Sequence, residues 1–243
     1  MASTFAFDAI GTAWRVDSGA ELDPATQRGV LELIEEYDAV YSRFRADSGI
    51  STLAQAGGSL TLPAHGAELG TLYGALYRIT RGSMSPLVGA VLEHQGYDAA
   101  YSLTPRGPAS AAAGHDDVLV DASGDMLHRG PRALTVALEH PYDATSAIGT
   151  VVLENRALCA SASNRRAWGD GLHHVVDAAT GSCVDRVVAT WVLAADAMTA
   201  DALATALFLA EPEDLSAEFE FDYVQVFSDG RARYSPPLNG ALF

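Results

Sequence analysis

Residues 187–210 read VVATWVLAADAMTADALATALFLA, and the elements they imply decide the fold class. Val187 to Leu193 is a β-branched and aromatic run of strand length. The alanine-rich stretch from about Asp196 to Ala210 has high helix propensity and predicts a helix. Tyr223 to Phe227 then reads as the closing strand, ended by a turn at Asp229-Gly230. A helix set between strands, without strict βαβ alternation elsewhere, predicts an α+β fold: one large domain of mixed or antiparallel sheets with a few packed helices.

Working outward, Val118 to Val120, Ala133 to Leu138 and Ile148 to Leu153 also read as strands. Residues 104–115 (TPRGPASAAAGH) carry no core pattern and predict a loop or junction. Near the start, Thr4 to Val16 predicts a strand with a break or close backbone approach at Gly11. Asp23 and Pro24 form a helix-start signal, and Val30, Leu33, Ile34, Tyr37, Val40, Tyr41 and Phe44 follow at three- and four-residue spacing. Ser59 to Leu62 reads as a short strand ended by Pro63. Leu69, Leu72, Tyr73, Leu76 and Ile79 predict a second amphipathic helix stopping near Gly82.

The 243 residues are expected to form a single domain, 1–243. With 15 Lys and Arg against 31 Asp and Glu, the net charge of −16 disfavours nucleic acid and anionic membrane surfaces as partners. A pyrophosphate ligand on so acidic a chain needs local compensation, which a divalent cation or a helix N-terminus supplies. Cys159 and Cys183 are too few for a disulfide framework and read as buried thiols. The N-terminal residues lack an export pattern and no apolar run reaches about 18 residues, so the expected location is cytoplasmic unless an export segment has been removed.

Four places can carry chemistry. Asp201 and Thr205 lie one turn apart on one helix face, and their hard oxygens suit a Mg²⁺ ion that completes its octahedron with phosphate and water. The competing reading is a surface Asp beside a buried Thr. His173 and His174 point to opposite faces of a strand, so a shared metal is disfavoured, and no zinc spacing is present. One of them can accept a proton from an attacking hydroxyl; a structural hydrogen-bonding role competes. Asp125, in Asp121-Ala122-Ser123-Gly124-Asp125, can bind a ligand or orient a loop, against the reading of an ordinary turn. Tyr41, in Tyr41-Ser42-Arg43-Phe44, can line a flavin pocket; core packing fits Phe44 better.

The order of these motifs resembles that of the ApbE-type FAD:protein FMN transferases. Ala9-Ile10-Gly11-Thr12 looks like the family's N-terminal Met-Gly-Thr strand, Tyr41 to Phe44 with Ser48 to Leu53 like its Ser-x-Phe…Ser-x-Leu-Ser stretch, and Gly82 to Gly89 like its Gly-x-Phe-Asp-Pro-Thr-Val-Gly loop. Ser123-Gly124-Asp125 is similar to Gly-Gly-Asp, and Ala160 to Ser163 with Arg165 or Arg166 to the Thr-Ser-Gly…Arg strand. His173 to Gly181 is similar to His-His-x-x-Asp-Pro-x-Thr-Gly, and Asp201 to Phe208 lies in the Ala-Asp-Ala-x-x-Thr-Ala-x-Phe helix. The resemblance implies an ApbE-like, T-fold-type architecture. It also implies Mg²⁺ on Asp201 and Thr205, FAD contacts at Ile10, Tyr41, Leu87, Val88, Gly89, Asp125 and Val184, and His174 as base. The implied partners are FAD and a target flavoprotein whose Thr or Ser takes FMN as AMP leaves.

The chain departs from that pattern. The family's Asp-Leu-Gly-x-x-Ala-Lys-Gly-x-x-x-Asp segment is missing, as if deleted near residues 100–117, and Ser85, Leu87, Ala178 and Cys183 replace Asp, Thr, Pro and Pro. A shortened member is therefore expected. The alternatives are a non-catalytic flavin-binding or protein-interaction paralogue and an FAD pyrophosphatase.

Overall fold

A computed structural model describes residues 3–56, 59–63, 66–85, 118–122, 124–168 and 172–243, with the side chains of Arg165, Arg166 and Trp168 outside the description. The chain opens with a hairpin, β1 (Ser3–Ala9) and β2 (Thr12–Ser18), paired antiparallel from Ser3↔Ser18 to Ala9↔Thr12. The break expected at Gly11 is thus a two-residue turn with φ 43° at Ile10 and 72° at Gly11. Positive φ at both central residues matches the twist of a hairpin, yet a β-branched side chain at such a φ is a genuine backbone outlier.

Helix α1 (Pro24–Tyr41) starts as the sequence predicts: the Asp23 carboxylate accepts from the Ala25 and Thr26 N–H groups, with Pro24 behind the cap. Phe44 falls beyond its end, because the chain turns extended at Ser42 and Ser48 Oγ donates to the Ser42 carbonyl. A helix not expected from the sequence, α2 (Gly49–Ala56), follows. The strand expected at Ser59 to Leu62 does not form; among the described residues nothing pairs with it, and Leu60 packs on Gly49. Helix α3 (Gly66–Ile79) ends as predicted, with Gly82 at φ 90° and its N–H donating to the Tyr77 carbonyl.

The second half supplies β3 (Val118–Asp121), β4 (Met126–Arg129), β5 (Leu134–His140), β6 (Asp143–Leu153) and β7 (Ala157–Ala162). Four two-residue strands come next: β8 (Ala167–Trp168), β9 (Leu172–His173), β10 (Val176–Asp177) and β11 (Ser182–Cys183). They lead to β12 (Val187–Ala194), α4 (Ala197–Ala206), α5 (Pro212–Ser216), β13 (Asp222–Phe227) and β14 (Ala232–Tyr234). Helix α4 stops short of Ala210: Phe208 and Leu209 bond three residues back in a tight turn, and Pro212 begins α5 after an extended Glu211.

One eight-stranded sheet in the order β1-β2-β3-β4-β7-β12-β13-β14 forms the frame, antiparallel at every pairing. Strand β12 is buried at all its positions, because both of its faces are covered. Val192 and Ala194, with Ala157 and Cys159 of β7, face Leu203, Ala204 and Leu207 of the α4 region. Trp191 and Leu193, with Leu158 and Val224, face Leu138, Val151 and Leu153 of the β5–β6 hairpin. The fold is therefore α+β, as the element order predicts. Among the described residues no helix is long and apolar enough to cross a membrane.

Candidate functional site

Register places Ile10 and Asp125 at one end of the sheet. Asp121 pairs with Arg15, so the β3–β4 turn and the Ile10-Gly11 turn project past the same edge. Strand β4 pairs with β7 only at Met126↔Leu158 and Leu127↔Ala157, so Ala160 to Ala162 run on past β4 toward that edge. Thr190 lies opposite Ser161 there. Adjacent strands lie about 4.8 Å apart, so the span from β2 to β7 is roughly 14 Å, suited to an extended ligand.

Where β4 gives out, the Asp125 side chain takes over. Its carboxylate accepts from the Ala160 N–H at 3.3 Å, doing for β7 what a neighbouring strand's carbonyl would do. Asp125 is buried, and of the two roles open to it the loop-orienting one is visible.

Asp201 and Thr205 share one face of α4, both half-buried between the buried Ala200, Ala202, Leu203 and Ala204. Asp196 caps the helix through the Thr199 N–H at 2.8 Å. Two ties dock α4 on the sheet: Thr190 Oγ1 donates to the Ala204 carbonyl at 2.6 Å, and the Cys159 thiol lies 3.6 Å from the Ala197 carbonyl. Thr205 Oγ1 is 3.3 Å from Ser161 Oγ. Asp201 faces α1 and α3. Burial pushes the Tyr73 phenol up to about 12, and the nearby Asp201 carboxylate adds to the rise. Burial likewise raises Tyr37, with Tyr73, Tyr41 and Asp201 adding to it. Both phenols therefore stay protonated beside the carboxylate.

Tyr41 stands next to this group, its ring 4.7 Å from that of Tyr37. Its hydroxyl is shielded from solvent at the start of α3, where a Cβ on Gly66 would come within 2.8 Å of it. Burial raises the Tyr41 phenol as well. Close approach thus requires the glycine at that position.

The two histidines differ in burial: β9 ends at His173, and His174 lies in the bend after it rather than in the strand expected from the sequence. His173 is buried, its Nδ1 accepts from the Val175 N–H at 3.3 Å, and its Nε2 lies 2.7 Å from the Val184 carbonyl. Those contacts make Nε2 the protonated nitrogen, and burial holds the ring below the usual imidazole pKa. His173 therefore has the structural role, and the Val184 carbonyl serves it, while the Val184 side chain packs toward Val175, Val187 and Phe208. His174 is half-buried, with Nδ1 shielded from solvent. The Asp177 carboxylate caps the following turn through the Ala179 N–H at 2.8 Å, and the Ala178 N–H donates to the Ser83 carbonyl at 2.9 Å. Since Phe208 lies one turn beyond Thr205, this segment packs against the same end of α4.

Leu87, Val88 and Gly89 lie outside the described residues. Thr190, Tyr37 and Tyr73 were not singled out from the sequence. A hydroxyl inside the otherwise apolar β12 was the available signal for Thr190; none marked the tyrosines, which read as core. Neither cysteine forms a disulfide, and Cys159 is buried and Cys183 partly so.

Among the described residues no three His, Cys, Asp or Glu side chains are grouped to hold a metal. The donor chemistry at Asp201 and Thr205, one carboxylate and one hydroxyl with a second hydroxyl beside it, fits a magnesium ion that draws its other oxygens from phosphate and water.

Residues 108–226 match the ApbE family model. Among curated proteins, none matches the sequence. The fold is similar over 100% of this chain and 100% of the other to the ApbE protein of Thermotoga maritima, with TM-score 0.82 and 19% identity. The flavin transferase ApbE of Vibrio cholerae matches over 100% of this chain and 99% of its own, with TM-score 0.77 and 16% identity. The flavinyl transferase ApbE of Pseudomonas stutzeri matches over 100% and 97%, with TM-score 0.77 and 18% identity. Residues 108–226 are thus similar in sequence to the ApbE family, and the whole chain is similar in fold to these ApbE structures.

Proposed function

We propose that the protein is a Mg²⁺-dependent FAD:protein FMN transferase that moves FMN from FAD to a Thr or Ser hydroxyl of a target flavoprotein and releases AMP. The observation that carries this reading is the Asp201–Thr205 turn of α4, held against β7 and β12 at the sheet end that also presents Ile10 and Asp125. Asp201 and Thr205 would hold the metal, which supplies charge neutralisation to the pyrophosphate when bound. Ile10, Tyr41, Leu87, Val88, Gly89, Asp125 and Val184 are assigned to the FAD side. The strained φ of Ile10 supports its assignment, since such strain clusters at ligand-binding positions.

In the transfer the acceptor oxygen forms a bond to the FMN phosphorus, and the bond from that phosphorus to the AMP oxygen breaks. His174, the base that the family resemblance implies, takes the hydroxyl proton, and AMP leaves with the electron pair of the broken bond. Mixing the protein with FAD, Mg²⁺ and a flavin-acceptor protein should give a fluorescent acceptor band on a denaturing gel. AMP release without acceptor labelling would identify an FAD pyrophosphatase instead, and absence of both products would leave a non-catalytic paralogue.

A further inference from the structure

We infer that Ser161 is a positioning residue for the cation site: its hydroxyl receives the Thr205 proton and so turns a Thr205 lone pair toward the metal. The inference rests on the reading of Asp201 and Thr205 as metal ligands. A threonine inside a helix commonly turns its hydroxyl back to the carbonyl four residues before it. Thr205 Oγ1 lies instead 3.3 Å from Ser161 Oγ, on a different element. A hydroxyl carries one proton and two lone pairs, so a threonine that offers an oxygen to a cation must send its proton elsewhere. The Ser161 oxygen is the acceptor at hand.

Docking of the helix does not account for this pair. Thr190, fully buried, already ties the same turn of α4 to the sheet through the Ala204 carbonyl at 2.6 Å. Its single proton goes there rather than to the Ser161 carbonyl at 3.5 Å. Ser161 is also unusually well anchored for a residue near a strand end. On one side β7 pairs with β12 through Ala162↔Ala189 and Ser161↔Thr190, and on the other the Asp125 carboxylate holds the adjacent Ala160 N–H. Asp125 thus fixes the strand that carries Ser161, which links the buried carboxylate to the cation site. Groups that orient a metal ligand set metal affinity without touching the metal.

The test is a Mn²⁺ titration of the protein in saturating FAD, followed by loss of the free-ion magnetic resonance signal. Ser161→Ala and the near-isosteric Ser161→Cys should bind Mn²⁺ about 10- to 100-fold more weakly than the wild-type protein. Ser161→Thr, which keeps the hydroxyl, should stay within about threefold, and FAD affinity without metal should be unchanged in all three; a purely structural serine would lower the melting temperature and metal-free FAD binding together. The predicted weakening supports the assignment even if no FMN reaches an acceptor, because that second failure strikes only the proposed reaction. Equal Mn²⁺ affinity in the variants, or no saturable Mn²⁺ binding by the wild-type protein, overturns it.

Discussion

The two faces of the central sheet are covered in different ways. On one face, the β5–β6 hairpin meets β7, β12 and β13 through an apolar cluster that includes Leu138, Val151, Leu153, Leu158, Trp191 and Leu193. On the other, α4 meets the same strands through an apolar floor that also carries Thr190, Ser161, Thr205 and, at its margin, Asp201. A layer needed only for stability gains little from hydroxyls, since each must find a partner or cost free energy when buried. Their presence on the helix face is what the proposed cation site requires of that face, and the proposal gives the hairpin face the supporting part.

The comparison breaks most sharply at Asp201. Asp201→Asn should lower flavin transfer at least about a hundredfold, with little change in melting temperature. A transfer assay with a melting curve on the same sample checks it, and a small rate change with a large stability loss would assign Asp201 to the scaffold. The converse variant is Leu153→Ala. Leu153 is fully buried, so its truncation should cost roughly 2–5 kcal/mol in denaturant unfolding while transfer per folded molecule holds.

Thr190→Val tests the tie between the two layers. It leaves the Ala204 carbonyl without its hydroxyl donor in a dry layer and should cost about 1–3 kcal/mol of stability, read from urea unfolding. The smallest effect is expected at His173, beside the end of α4. Its folded pKa lies below the ordinary 6.5, so the unfolded chain binds the proton more readily. Its contribution to stability is present above pH 6.5 and is lost as pH falls through the folded value. Melting temperature should therefore drop between about pH 6.5 and 5, and His173→Gln should flatten that drop.

Much of the fold could be read along the chain because the signals are local. The Asp23-Pro24 start of α1, the Gly82 stop after α3 and the strand–helix–strand order around α4 each depend on neighbours within a few residues. The misreadings share one cause. Ser59 to Leu62 has strand-like residues but no partner to complete its hydrogen bonds, whereas β4 and β14 are short and become strands because β3 and β13 supply the other half of their bonds. In Thr4 to Val16 the break expected at Gly11 proves to be a full hairpin turn, which the sequence marks weakly because Ile10 stands where Gly or Asn is usual.

Asp201 and Thr205 could be paired from sequence because helix geometry alone puts residues four apart on one face. Strand alternation could not be applied to His173 and His174, because the strand ends at His173 and only the fold shows which of the two is buried.

Sequence by itself determined the longer helices and strands, the α+β class and the carboxylate–hydroxyl turn of α4, since propensity, capping and periodicity act within about one or two turns of chain. Only the tertiary structure decided that Ser161 meets Thr205, that Asp125 holds the strand beside it, and that Tyr37 and Tyr73 flank Asp201. Those neighbours come from segments far apart in sequence, and strand register and helix docking, which bring them together, are set by what the whole core can bury at once.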